Sequence, residues 1–134
     1  MTRRRALSRY STGPMLALAF CAVAACANHQ AELGASLTVL NAARDGFTAW
    51  DDQHQGDIVK AATSLEQGKG ELDAYRKRRE PVIRGFEIAY KALATAALTP
   101  EAGNLAVLAT DVLELQNAVV ALGAAWPGPP KETP

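Results

Sequence analysis

Apolar residues recur at three- and four-residue steps through most of this 134-residue chain, and this spacing is the strongest constraint on its fold. Between residues 30 and 123, no segment shows the apolar–polar alternation that marks a half-buried strand. The composition is rich in alanine and only 6% aromatic, which favours closely packed helices over sheets. The sequence therefore predicts an all-α domain, and the length fits one domain.

Three helices are predicted, at about residues 29–62, 65–98 and 100–123. Ser64-Leu65-Glu66-Gln67 fits a capping box at the start of the second helix, with Ser64 as the N-cap and Gln67 expected to bond back to it. Thr99 is the predicted N-cap of the third helix, with Pro100 at its first position, and Gly123 ends it. Because short turns make consecutive helices antiparallel neighbours, the predicted architecture is an elongated antiparallel three-helix bundle with coiled-coil-like packing.

The third helix has the most regular core stripe. Its large aliphatic residues keep an unbroken three–four spacing: Leu105, Leu108, Val112, Leu115, Val119 and Leu122. Val107, Leu113 and Val120 widen the apolar arc beyond a narrow seam. The third helix is therefore predicted to be well buried, against two partner helices.

The N-terminal segment has the layout of a secretory signal. MTRRRALSRYSTGP is polar and basic, and the following MLALAFCAVAACA is apolar. Thirteen helical residues span about 20 Å, which is too short for a hydrocarbon core of about 30 Å. Residues 1–25 are therefore predicted to be a signal peptide. Of the two cysteines of the chain, Cys21 lies within this segment and Cys26 directly follows it.

The sequence Val23-Ala24-Ala25-Cys26 resembles the lipobox of bacterial lipoproteins. Cys21 fits less well, because bulky Phe20 precedes it where that family has a small residue. The resemblance implies cleavage between Ala25 and Cys26, diacylglycerol on the Cys26 sulfur and acylation of the new amine, for example with palmitate. Two or three acyl chains anchor a protein stably, whereas one does so only marginally. An ordinary cleaved signal with incidental cysteines is the alternative.

The resemblance also implies a location on the cell membrane. Ala27 follows the cysteine, and in enterobacterial lipoproteins an Asp there resembles an inner-membrane retention signal. Because Ala27 is not an aspartate, the expected location in a diderm host is the periplasmic face of the outer membrane. The segment Thr2–Leu7 partly resembles a twin-arginine motif, so the general secretory route and the twin-arginine route both remain open.

Asp51 and His54 are the best candidate site residues, since residues three apart share a helical face. One carboxylate–x–x–His pair does not make a di-iron site, which needs two such pairs and two further carboxylates. No metal or other cofactor is therefore predicted, and His54 is expected at the core edge, hydrogen-bonded to the second helix. Arg79 is predicted to form a salt bridge with Asp51 or a cation–π contact with Trp50.

The basic run Arg76-Lys77-Arg78-Arg79 has two readings. It either binds anionic lipid head groups or is a solvated, ion-paired segment. The neighbouring acidic residues Asp73, Glu80 and Glu87 favour the ion-paired segment. Residues 26–134 carry ten Lys/Arg against fourteen Asp/Glu, a formal charge of −4, so no nucleic-acid partner is expected. No catalytic motif was found, so an enzyme is not expected.

These features predict a small lipid-anchored envelope protein that acts as a structural, scaffold or accessory subunit through its bundle, residues 26–125, by contacting a protein partner or a second copy. One alternative is a ligand- or metal-binding module near Trp50, His54 and Tyr75. Another is a phage-derived lysis lipoprotein, suggested by small size, anchor and proline-rich end. Residues 126–134 are predicted to be a disordered tail, with a docking peptide around Trp126 as the alternative.

Overall fold

Within residues 13–127, the fold consists of three helices. The computed structural model describes the backbone of residues 13–127 and the side chains of residues 28–127. The helices are α1 (Gly13–Ala61), α2 (Leu65–Leu98) and α3 (Ala102–Leu122). α2 is central and packs against both α1 and α3, which confirms the all-α three-helix bundle. Residues 1–12 of the predicted signal peptide and 128–134 of the predicted tail lie outside the described residues.

α1 begins earlier than the sequence predicts. It starts at Gly13 rather than near His29, and it passes without a break through Ala25 and Cys26. The segment from residue 15 to 33 contains neither glycine nor proline, and alanine and leucine are strong helix formers. The apolar segment and the bundle therefore share one continuous helix.

The turn between α1 and α2 forms close to its predicted place. Ser64 is the N-cap of α2, and its side chain accepts a hydrogen bond from the Gln67 N–H at 3.2 Å. The Gln67 side chain does not return to Ser64, because it accepts instead from the Thr63 N–H and hydroxyl, at 3.1 and 2.6 Å. Gly68 is buried here, and a Cβ on it would lie 3.0 Å from the Ala62 Cβ. The absence of a side chain thus lets the turn close tightly.

α2 continues through Pro81, which is exposed, and ends at Leu98. The predicted start of α3 is wrong by two residues. Thr99 is the C-cap of α2, and its carbonyl accepts from the Glu101 N–H and the Asn104 side chain, both at 2.8 Å. Since Thr99 completes one helix, it is not free to cap the next, and Glu101 takes that position before Ala102.

The core lies where the stripes of the three helices meet. Its buried apolar side chains are Leu40, Ala43, Phe47, Val82, Phe86, Ala89, Leu93, Ala96, Leu108, Leu115, Val119 and Ala124. α2 and α3 come close at Gly85, where a Cβ would lie only 3.0 Å from Leu115 Cδ1. On α1, Leu37 and Ala61 follow the three–four spacing of the core residues but are exposed, so the buried face of α1 is narrower than that spacing alone predicts.

The chain beyond α3 folds back onto the core. Gly123 adopts the left-handed conformation, φ 100°, and ends α3 as predicted. The Ala124 N–H donates to the Val119 carbonyl at 3.2 Å, Ala124 is buried, and Trp126 packs half-buried against the core. The prediction that disorder starts at residue 126 is therefore wrong for Trp126, whose indole finds apolar surface that the spacing of the helices does not reveal.

Candidate functional site

The carboxylate of Asp51 joins α1 to α2. It is buried, and it accepts hydrogen bonds from the Tyr75 hydroxyl, from Arg79 Nη1 and, at 2.8 Å, from Gln55 Nε2. Of the two contacts predicted for Arg79, the ion pair with Asp51 is therefore the one that forms. Both carboxylate oxygens have donors, so the buried charge is compensated.

His54 lies half-buried at the edge of the core, as predicted, but its contacts differ from those expected. Its ring stacks on Trp50, with centroids 4.8 Å apart and planes within 9°, and it tilts against Tyr75 at 4.8 Å. These aromatic contacts take the place of the hydrogen bond expected between His54 and α2, and the donors to Asp51 are other residues. Phe47 and Phe86 extend the aromatic cluster across the helices. Asp51, His54 and Arg79 thus form a filled junction rather than an open site.

Tyr75 is electrostatically constrained in this junction. Burial raises the pKa of its phenol well above the ordinary value, and the hydrogen bond to Asp51 and the negative charge of that carboxylate raise it further. The phenol therefore stays protonated and keeps donating to Asp51. Within residues 28–127, no group of three or more His, Cys, Asp or Glu side chains is placed to hold a metal ion.

The basic run does not form a single surface. Arg79 turns inward to Asp51, whereas Arg76 pairs with Asp73 at 3.4 Å across an exposed helical turn. Further along α2, Arg84 pairs with Glu80 at 2.5 Å, one helical turn away. Such exposed pairs contribute little to stability.

α3 carries a second stripe that has no partner in the described fold. Its members follow the same three–four spacing as the core stripe: Ala102, Ala106, Ala109, Leu113, Gln116 and Val120. All but half-buried Gln116 are exposed, and Leu113 and Val120 are 56% and 55% exposed. The prediction that α3 is well buried against two partner helices is wrong, because α3 packs mainly on α2 and leaves Leu113 and Val120 exposed. We call this set the outer stripe.

The outer stripe is uncharged. The acidic residues of α3 and its cap, Glu101, Asp111 and Glu114, all lie off it. Val107 is also exposed, at 54%, but at the helical spacing of 3.6 residues per turn it falls on another side of α3. α3 is long and apolar enough to cross a membrane by length and composition alone, although here its core stripe packs in the bundle.

A groove lies at the α1–α2 turn, away from this stripe. Its volume is about 640 Å³, and its surface is mostly apolar because of Val59, Ala62, Leu65 and Leu72. The ligand site considered from sequence, near Trp50, His54 and Tyr75, is filled by those rings themselves. Sequence spacing did not indicate the groove, because the groove forms where the α1–α2 hairpin extends past the end of α3.

No protein-family model, curated protein or solved structure matches the chain.

Replacing Asp51 with alanine is expected to lower the free energy of unfolding by about 2–4 kcal/mol, because it leaves the Tyr75 hydroxyl and the Arg79 guanidinium without their acceptor. Asp52 is the matched control: it is adjacent and exposed, so Asp52→Ala should change stability by no more than about 0.5 kcal/mol. Chemical denaturation followed by circular dichroism measures both. Equal effects of the two substitutions would contradict the assigned role of Asp51.

The raised pKa of Tyr75 predicts a loss of stability in alkali. Above about pH 10 the tyrosine ionises in the unfolded chain but stays protonated in the fold, so the unfolded state binds fewer protons and stability falls as the pH rises. Tyr75→Phe should flatten this slope in denaturation curves recorded between pH 8 and 11. Tyr90→Phe, which alters a hydroxyl bonded to Asn41 rather than to a carboxylate, should retain it.

Proposed function

We propose that this protein is a lipid-anchored envelope protein that works by protein–protein contact through the outer stripe of α3. The carrying observation is an uncharged stripe at coiled-coil spacing that α1 and α2 leave exposed. Leu113 and Val120 are the large side chains in it, and the smaller alanines allow a neighbouring helix to approach closely. A second amphipathic helix with its own three–four apolar stripe is the fitting partner.

The anchor in this proposal is Cys26. Cleavage after Ala25 leaves the cysteine at the start of the helix that runs on to Ala61. The bundle then has almost no flexible tether, because the side chains of α1 that pack in the core begin at Leu33. The outer stripe is thereby presented at the membrane surface, on the periplasmic side of the outer membrane in a diderm host. The proposal assigns no catalytic step to the protein.

Crosslinking in membranes tests the partner. Benzoylphenylalanine in place of Leu113 should yield a discrete covalent adduct in native membranes, whereas the same group at exposed Lys77, on α2, should not. Mass spectrometry then identifies the adduct as another protein or as a second copy. Absence of any adduct at Leu113 would overturn the proposed interaction surface.

Paired substitutions on α3 give the specificity control. Leu113→Asp and Val107→Asp change residues of nearly equal exposure on different sides of one helix. Leu113→Asp should weaken partner capture by about tenfold or more, because an unpaired carboxylate buried at a helix interface costs at least about 1.4 kcal/mol. Val107→Asp should leave capture unchanged, and equal losses would argue against the outer stripe.

The anchor assignment has its own test. Cys26→Ala should abolish metabolic labelling with a fatty-acid analogue and shift the protein out of the membrane fraction, since it removes the attachment sulfur. Cys21→Ala should retain both labelling and membrane partition, because Cys21 lies in the segment that is removed. Continued labelling of Cys26→Ala would show that the cysteine is wrongly assigned.

A further inference from the structure

The α1–α2 hairpin extends past the end of α3. α3 ends at Leu122, and a Cβ on the next residue, Gly123, would lie 3.9 Å from Trp50 Cζ2. Beyond this level the hairpin end, residues 52–74, consists of two helices with no third helix against them. Gly68 is the only buried residue in that described stretch. Apolar side chains of the hairpin end therefore remain uncovered.

The groove at the turn gathers these side chains. Its floor is apolar, and two of its members are largely exposed, Val59 at 56% and Leu65 at 93%. Its volume of about 640 Å³ falls within the usual range of small-molecule sites, which are mostly apolar with a few polar groups at defined places. Here the polar lining residues include two cations, Lys69 and Arg76, which lie about two helical turns apart on α2.

The charge at the groove is net positive. Asp73 also lines it, but it pairs with Arg76 at 3.4 Å, and both side chains are more than half exposed. Lys69 makes no ion pair among the residues whose side chains are described. An anionic group beside Lys69 and Arg76 would therefore meet one cation that has no ion pair among the described side chains and a second whose exposed ion pair with Asp73 is weak.

The groove offers little to a peptide backbone. Apart from the terminal groups at the end of α1 and the start of α2, the N–H and C=O groups of its helical walls bond within the helices, and the Thr63 and Ser64 hydroxyls are engaged by Gln67. An extended peptide would bury backbone groups without partners, which is costly. An acyl chain has no such groups and gains from burial of each methylene.

We propose that this groove binds a single-chain anionic lipid, with its acyl chain along Val59, Leu65 and Leu72 and its carboxylate or phosphate at Lys69 and Arg76. The bound lipid is a separate molecule rather than the anchor, because Cys26 lies about 52 Å from Ala61 along α1. This site is distinct from the outer stripe and does not depend on the function proposed for it.

Photo-crosslinking of the full-length chain in membranes tests the site. Three diazirine probes with the same acyl chain are compared: a free fatty acid, a lysophosphatidic acid and an uncharged monoacylglycerol. Peptide mapping should place the label within residues 59–76 for an anionic probe. Labelling by the fatty acid or by the lysophospholipid supports the proposal and identifies the source of the charge. Equal labelling by the monoacylglycerol, or label confined to other residues, overturns it.

Two nearly fully exposed leucines at opposite ends of α2 supply matched variants. Leu65→Gln should lower labelling by about fivefold, as expected for the loss of about 1 kcal/mol of apolar contact. Leu98→Gln, at an 86% exposed position, should not change it. Lys69→Gln with Arg76→Gln should reduce labelling by the anionic probes and leave the neutral probe unchanged. Equal loss in Leu65→Gln and Leu98→Gln, or a protein adduct in place of lipid at these residues, overturns the site; circular dichroism verifies that each variant is folded.

Discussion

The buried carboxylate of Asp51 fixes how α1 and α2 lie against each other. Its donors come from both helices, Gln55 from its own and Tyr75 and Arg79 from the other. Sliding one helix past the other by a turn, about 5.4 Å, would remove two donors from a buried charge. The apolar stripes alone tolerate such a slip better, because they repeat every turn. The alignment set by Asp51 determines where α3 can pack and how much of the hairpin extends beyond it.

The sequence predicted the elements whose signals are local and regular. The three–four spacing of apolar residues on α2 corresponds to a buried stripe through Tyr75, Val82 and Phe86, and Arg79 meets Asp51 because a hairpin turn near residue 63 aligns them. The start of α3 was misplaced because Thr99 has favourable bonds at the end of one helix and the start of the next. Spacing cannot decide which helix a shared residue completes.

Burial at helix faces was harder to predict than the helices themselves. α3 has two stripes with the same spacing, and the sequence does not say that the chain supplies a partner for only one of them. Trp126 shows the converse, since a proline-rich context indicates an irregular end but not whether the indole finds apolar surface. The groove near Leu65 likewise depends on the relative lengths of α2 and α3, which is a property of the assembled bundle.

Because α1 is unbroken, the position of a residue along it fixes both its distance from the start of the helix and the direction in which it faces. A helix advances about 1.5 Å and rotates about 100° per residue, so the height and the facing direction of everything packed on α1 are linked to the residue at which the helix is attached. With the proposed anchor at Cys26, one inserted amino acid before Leu33 would rotate the outer stripe by more than a quarter turn relative to that anchor. A flexible tether would absorb such a change, whereas a continuous helix transmits it, so neighbours in the membrane plane would meet the bundle from a fixed side.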